Sequence, residues 1–94
     1  MGRLSRFRVA GPSMEPALSE GDTVLVDPRG EVVEGDIVVA RHPWEDASVL
    51  KRVDHITADG DLFLKGDGTV STDSRDYGAL AADVVVGVVR CTFP

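Results

Sequence analysis

Short runs of apolar, mostly β-branched residues recur along the chain, and several follow a Gly-Asp pair. Gly21-Asp22 precedes Thr23–Val26, Gly35-Asp36 precedes Ile37–Ala40, and Gly60-Asp61 precedes Leu62–Lys65. Runs of this length read as strands, and the pairs read as the turns that start them: Gly takes positive φ at little cost, and Asp bonds the backbone of a turn. Further strands are expected over Val49–Ile56 and Val84–Val89, and Ala58-Asp59-Gly60 predicts a hairpin joining Val49–Ile56 to Leu62–Leu64. Helical periodicity is confined to two short turns, Met14–Ser19 and Leu80–Asp83. The expected fold class is mostly β, a single compact domain over residues 1–94.

Length supports that reading, since 94 residues build one core but not two independent ones. The formal charge of −6 is uneven. Arg3, Arg6 and Arg8 stand in the first eight residues, leaving seven basic against 16 acidic groups in the remainder, a balance of −9. Such a body repels phosphates, so no nucleic acid partner is expected, and residues 1–8 read as a flexible, solvated basic N-terminus. The single cysteine, Cys91, forms no internal disulfide, which suits a cytoplasmic location. No apolar run reaches the roughly 20 residues of a membrane span, nor the about 7–15 of a secretory leader. His42, His55 and Cys91 lack ligand-like spacing, so neither metal nor cofactor is expected.

Candidate chemistry begins at Val9-Ala10-Gly11-Pro12-Ser13-Met14-Glu15-Pro16-Ala17-Leu18, which sets one hydroxyl on a turn bracketed by prolines. An unassisted hydroxyl is a poor nucleophile and must lose its proton to a nearby base as it attacks. In Val49-Leu50-Lys51-Arg52-Val53 a lysine interrupts an apolar strand, and period-two alternation puts Lys51 on one face with Val49 and Val53. Bringing a lysine from about 10.4 toward neutrality requires on the order of 4–5 kcal/mol of differential cost, which desolvation can supply. Taken alone, Ser13 reads as the cap of a helical turn and Lys51 as a strand lysine whose stem covers apolar surface. A third segment, Gly66 to Gly78, is too polar and Gly-rich for a strand and reads as an ordered functional loop. Asp67, Asp73 and Arg75 are expected to form its charged network, with Ser71 near the base.

These segments, Gly-Pro-Ser-Met-Glu-Pro-Ala-Leu, Gly21-Asp22-Thr23-Val24-Leu25-Val26, Gly35-Asp36-Ile37-Val38-Val39, Lys51-Arg52-Val53 and Gly66-Asp67 through Tyr77-Gly78, resemble the ordered boxes of the signal peptidase I family. The resemblance covers Val9 to about Gly87. It implies a signal-peptidase or LexA-like β domain acting as a serine endopeptidase, with Ser13 as nucleophile and Lys51 as general base. It further implies that Ser71 positions the amine, that Asp73 and Arg75 form the supporting ion pair, and that the Ser13 backbone N–H serves the oxyanion. Met14 is expected to touch substrate, a precursor protein bound as an extended strand. Val39-Ala40-Arg41-His42-Pro43-Trp44 with Lys51-Arg52-Val53 resembles the short subgroup that removes the leader of nickel-type superoxide dismutase. Only 14 residues separate Lys51 from Gly66, as expected of a bare catalytic core.

Two positions depart from the family's pattern. Gly68 stands where an asparagine is usual, and Gly11 stands where a hydroxyl often assists the oxyanion. Losing such a donor costs about 2.7–4 kcal/mol of transition-state stabilisation. Two other readings stay open: a LexA-type self-cleaving regulatory domain, and a non-catalytic peptide-binding module of the same fold. The 12 residues before Ser13 are too few for a helix-turn-helix unit, which counts against the first.

Overall fold

The computed structural model describes residues 4–68 and 72–94. Six strands, β1 (Ser5–Arg8), β2 (Thr23–Asp27), β3 (Ile37–Arg41), β4 (Ser48–Ile56), β5 (Leu62–Lys65) and β6 (Val85–Phe93), form one sheet in the order β1-β2-β6-β3-β4-β5. Every neighbouring pair is antiparallel. The fold is therefore mostly β, as the apolar runs predict.

The Gly-Asp starts behave as expected, with Gly21, Gly35 and Gly60 all at positive φ. Asp22 and Asp36 use the same device: each carboxylate accepts the N–H three residues earlier, from Ser19 and Val33, at 2.9 Å. The expected hairpin forms with Arg52 opposite Lys65 and Val53 opposite Leu64.

Period-two alternation divides the apolar residues between two clusters. Val9, Met14, Leu18, Val24, Val26 and Val39 form one, with Phe7 and Leu50 packed against it; Val38, Ala40, Val53, Leu62, Leu64 and Val88 form the other. In β3, Val39 joins the first cluster while its neighbours Val38 and Ala40 join the second. The central strands are thus covered on both sides. β4 lies between the clusters, contributing Leu50 to one and Val53 to the other.

Four expectations are corrected. The N-terminus is not a frayed end from Ser5 onward, because Ser5–Arg8 pairs with Val26–Thr23. Phe7 and Val9, two residues apart, both reach the first cluster, whereas Arg6 and Arg8 stay exposed. The terminal strand runs to Phe93 rather than Val89, because Cys91, Thr92 and Phe93 pair with β2 although their side chains are exposed. The loop after Gly66 contains a helical turn, α1 (Ser74–Tyr77). The turn expected at Met14–Ser19 makes one such bond, Leu18 N–H to the Met14 carbonyl at 2.9 Å, and that expected at Leu80–Asp83 becomes a 3-10 turn at Ala82–Val84.

The sheet has two unlike edges. Along β5, the outward N–H groups of Leu62, Leu64 and Gly66 are taken by the Leu80 carbonyl (2.7 Å), Ser74 Oγ (2.8 Å) and Asp73 Oδ2 (3.0 Å). The returning segment therefore closes that edge, which an open sheet would leave free to pair with other chains. At β1 the edge instead carries the exposed Arg6 and Arg8.

Candidate active site

Ser13 occupies the turn between β1 and β2, where Met14 anchors the chain: its side chain is 1 % exposed and belongs to the first cluster. The Glu15 N–H bonds the Pro12 carbonyl at 3.1 Å, and the Gly68 N–H bonds the Ser13 carbonyl at 2.7 Å. That second bond requires glycine at position 68. A Cβ there would lie 2.7 Å from the Pro12 carbonyl oxygen and 3.2 Å from that of Ser13. The glycine at this position thus lets the loop lie against the Ser13 turn. Gly11 has φ 79°, a region that disfavours any side chain, so a hydroxyl-bearing residue there would strain this turn.

A cleft of ≈ 120 Å³ opens beside Ser13, lined among others by Phe7, Val9, Met14, Val39, Val49 and Leu50. Met14 borders it from the core side, so its expected contact with substrate is through an otherwise buried side chain. Leu50 leads directly into Lys51, the one lysine of the chain that is buried, at 3 % exposure. Burial pushes the Lys51 amine below its ordinary value. The Asp73 carboxylate opposes that shift, the Arg75 guanidinium adds to it, and Asp76 opposes it, with a net decrease. Among the described residues Lys51 makes no ion pair within 4.0 Å and no hydrogen bond with Ser13.

Asp73 is fully buried. One oxygen accepts from the Arg75 N–H at 3.0 Å and Nε at 2.9 Å, and the other from Arg75 Nη2 at 2.6 Å and the Gly66 N–H at 3.0 Å. Burial alone pushes this carboxyl up, but the hydrogen bonds from Arg75 and Gly66 outweigh it and hold the group well below the usual carboxylate range. Asp73 also caps α1: its side chain takes the Arg75 N–H while the Asp76 carboxylate accepts the Asp73 N–H at 3.0 Å. This capping box is visible in the sequence as Asp73-x-x-Asp76, a signal the loop reading passed over.

The charged network expected of Asp67, Asp73 and Arg75 is instead two separate pairs. Asp73 holds Arg75, whereas Asp67 takes Arg52 in a two-point contact of 3.1 and 2.7 Å, and Arg52 also donates to the Gly35 carbonyl at 2.8 Å. Arg52 and Ser74 are the residues that sequence reasoning missed; neither differs in its local pattern from a solvated strand arginine or a loop serine. Ser71 lies outside the described residues. Segment 66–68 links the rest, since the Gly66 N–H reaches Asp73 beside Lys51 while the Gly68 N–H reaches Ser13.

Among the described residues no helix is long and apolar enough to cross a membrane, and no cluster of three or more His, Cys, Asp or Glu has a geometry suited to a metal ion. Comparison with curated proteins finds no match. The family model described as Peptidase S24-like matches residues 3–77, which contain the Ser13 turn, Lys51 and the Asp73–Arg75 pair, and the chain belongs to this family.

Proposed function

We propose that the protein is a serine endopeptidase in which Ser13 attacks the scissile carbonyl and Lys51 is the general base. The observation carrying this reading is a lysine 3 % exposed, with its amine shifted toward the neutral form, on the strand that borders the Ser13 cleft. A neutral amine takes the hydroxyl proton as the Ser13 oxygen bonds to the carbonyl carbon. The leaving amine departs with a proton from the lysine, and water activated by the same amine then hydrolyses the ester. The Ser13 N–H makes no hydrogen bond among the described residues and is available to the oxyanion. Catalytic hydrogen bonds in unliganded sites often tighten only when substrate is bound, so the unjoined Ser13 and Lys51 are compatible with this role.

The substrate in this reading is the leader of a cytoplasmic precursor, held extended, with the nickel-type superoxide dismutase precursor as the specific case. That case rests on the resemblance of residues 39–44 and 51–53 to the short subgroup. Incubating that precursor with the parent chain, Ser13→Ala and Lys51→Ala is the test. The parent is expected to make a single cut at the leader boundary, with both variants slower by about 10³-fold or more. Equal processing by all three ends the proteolytic reading. The family match favours a second reading, a LexA-type self-cleaving domain. Concentration-independent nicking of the purified chain, with no cut in added precursor, selects it.

A further inference from the structure

The two edges of the sheet differ in charge as well as in cover. Among the described residues β1 has β2 as its one neighbour, and the N–H of Val9, just past β1, turns inward to the Asp22 carbonyl at 2.8 Å. Successive residues of a strand turn their N–H and C=O groups to opposite sides, so those of Arg8 and Arg6 point away from β2, along the free edge. Nothing in the sheet takes the two side-chain charges. Arg8 stands opposite Thr23 and Arg6 opposite Leu25, and neither guanidinium makes an ion pair or hydrogen bond among the described residues. Arg41, Arg52, Arg75 and Arg90, by contrast, are each held by a carboxylate or a carbonyl. On a chain of net charge −6, Arg6 and Arg8 are a local attraction for negative charge.

The same strand leads into the proposed chemistry. Phe7, Arg8 and the following Ala10 line the Ser13 cleft, together with Val49 and Leu50 of β4. Phe7 pairs with Val24 and packs on the first cluster, so its side chain lies on one face of the sheet and those of Arg6 and Arg8 on the other. A strand added at this edge would continue both faces, because directly opposed residues share a face whichever way the strand runs. Its residues opposite Arg6 and Arg8 would meet the guanidiniums, and the residue between them would turn with Phe7 toward the apolar side. Edge pairing supplies backbone bonds to any extended peptide; the side-chain pattern supplies selection. Antiparallel pairing with β1 of a second copy about Phe7 would set arginine against arginine, which favours an acidic partner over the chain itself.

We infer that the β1 edge binds an extended acidic segment of the substrate as an added strand, with carboxylates at two alternate positions opposite Arg6 and Arg8 and an apolar residue between them. The inference rests on the proteolytic reading and adds to it a substrate class: peptides with an acidic-apolar-acidic stretch at a fixed distance from the cut.

The experiment uses fluorescein-labelled, alanine-rich decapeptides carrying Glu-Val-Glu at successive positions, and the same set carrying Gln-Val-Gln. Binding to Ser13→Ala protein is read as anisotropy, without any need for turnover. The expected result is saturable binding, about fivefold or more tighter for Glu-Val-Glu at one or two positions. That preference should vanish in about 1 M salt, where the screening length is about 3 Å, and in the Arg6→Gln/Arg8→Gln double variant. Equal affinity for the two sets at every position, or a preference that survives both high salt and the double variant, overturns the docking site. A dimer in sedimentation that the double variant abolishes, with no glutamate preference, gives the edge to a second copy and overturns it as well. In the parent chain the preferred peptide should be cut at a fixed distance from its glutamates. Undiminished cleavage by Ser13→Ala would instead overturn the proteolytic reading, leaving the anisotropy titration to decide the docking site.

Discussion

Lys51 and Asp73 are both buried and feel each other's charge, yet their surroundings treat charge in opposite ways. Among the described residues the Asp73 carboxylate receives four hydrogen bonds, and it stays ionised well below the usual carboxylate range, while Lys51 makes no ion pair among those residues and its amine is shifted downward. Burial penalises charge at both positions; the polar partners decide whether that penalty is outweighed, as it is at Asp73. A carboxylate so satisfied is structural. An amine with so few polar partners fits the role of general base proposed for it.

The sharpest way to break that contrast is Lys51→Met, which keeps the apolar stem and removes the amine. Cleavage should fall by about 10³-fold or more while the urea midpoint rises by the equivalent of about 1–2 kcal/mol, since a poorly compensated buried polar group is replaced by an apolar one. A variant that loses activity and stability together would mean the amine is well satisfied after all.

Next in size is Asp73→Ala, expected to cost about 3 kcal/mol in chemical denaturation. It leaves the buried Gly66 N–H without its acceptor and removes the cap of α1. The milder Asp73→Asn should move the acid limb of activity to lower pH, because Asp73 raises the Lys51 value and Arg75 lowers it. A limb that moves upward would contradict this coupling.

Gly68→Ala follows, at about 1–3 kcal/mol, because its Cβ would meet the backbone oxygen of Pro12 at 2.7 Å rather than the end of a flexible side chain. Activity should fall with it as the Ser13 turn shifts, read as a lower kcat against a parent-like circular dichroism spectrum.

The pH dependence of stability separates the two groups. Unfolded Lys51 holds its proton up to its ordinary value of 10.5 and the folded chain releases it earlier. In the window between the folded value and 10.5 the unfolded state binds more protons, so stability should rise with pH there. Asp73 contributes stability that is present above its ordinary value of 3.8 and is lost as pH falls from there toward its lower folded value. Thermal melts across both windows should show Lys51→Met losing the alkaline rise and keeping the acid loss. The smallest effect belongs to Arg52→Gln, below about 1 kcal/mol, since the Arg52–Asp67 pair is partly open to solvent.

The β-rich class and the inner strands were legible because each depends on neighbours in sequence, through alternation and Gly-Asp turns, whereas the Asp73–Arg75 pair came from the family resemblance and the residues alone suggested a network that included Asp67. β1 was obscured by its arginines, whose charge outweighs the one apolar side chain among Ser5–Arg8, and the end of β6 by exposed side chains that pair through backbone alone. Of the candidate site, Ser13 and Lys51 stand out by residue type, but Arg52 as the partner of Asp67 does not, because 15 residues separate them.

The chain by itself determined where the inner strands start and which residues are candidates for chemistry, since Gly-Asp turns, period-two burial and residue type are local properties. Only the folded sheet decided in which direction burial and neighbours move each group. Along the sequence Lys51 interrupts an apolar strand and Asp73 is one of several charged residues in a polar loop, and the partners that distinguish them arrive from the 66–68 segment and from the turn of α1. Desolvation and hydrogen bonding act through space, so their balance exists only once those segments meet.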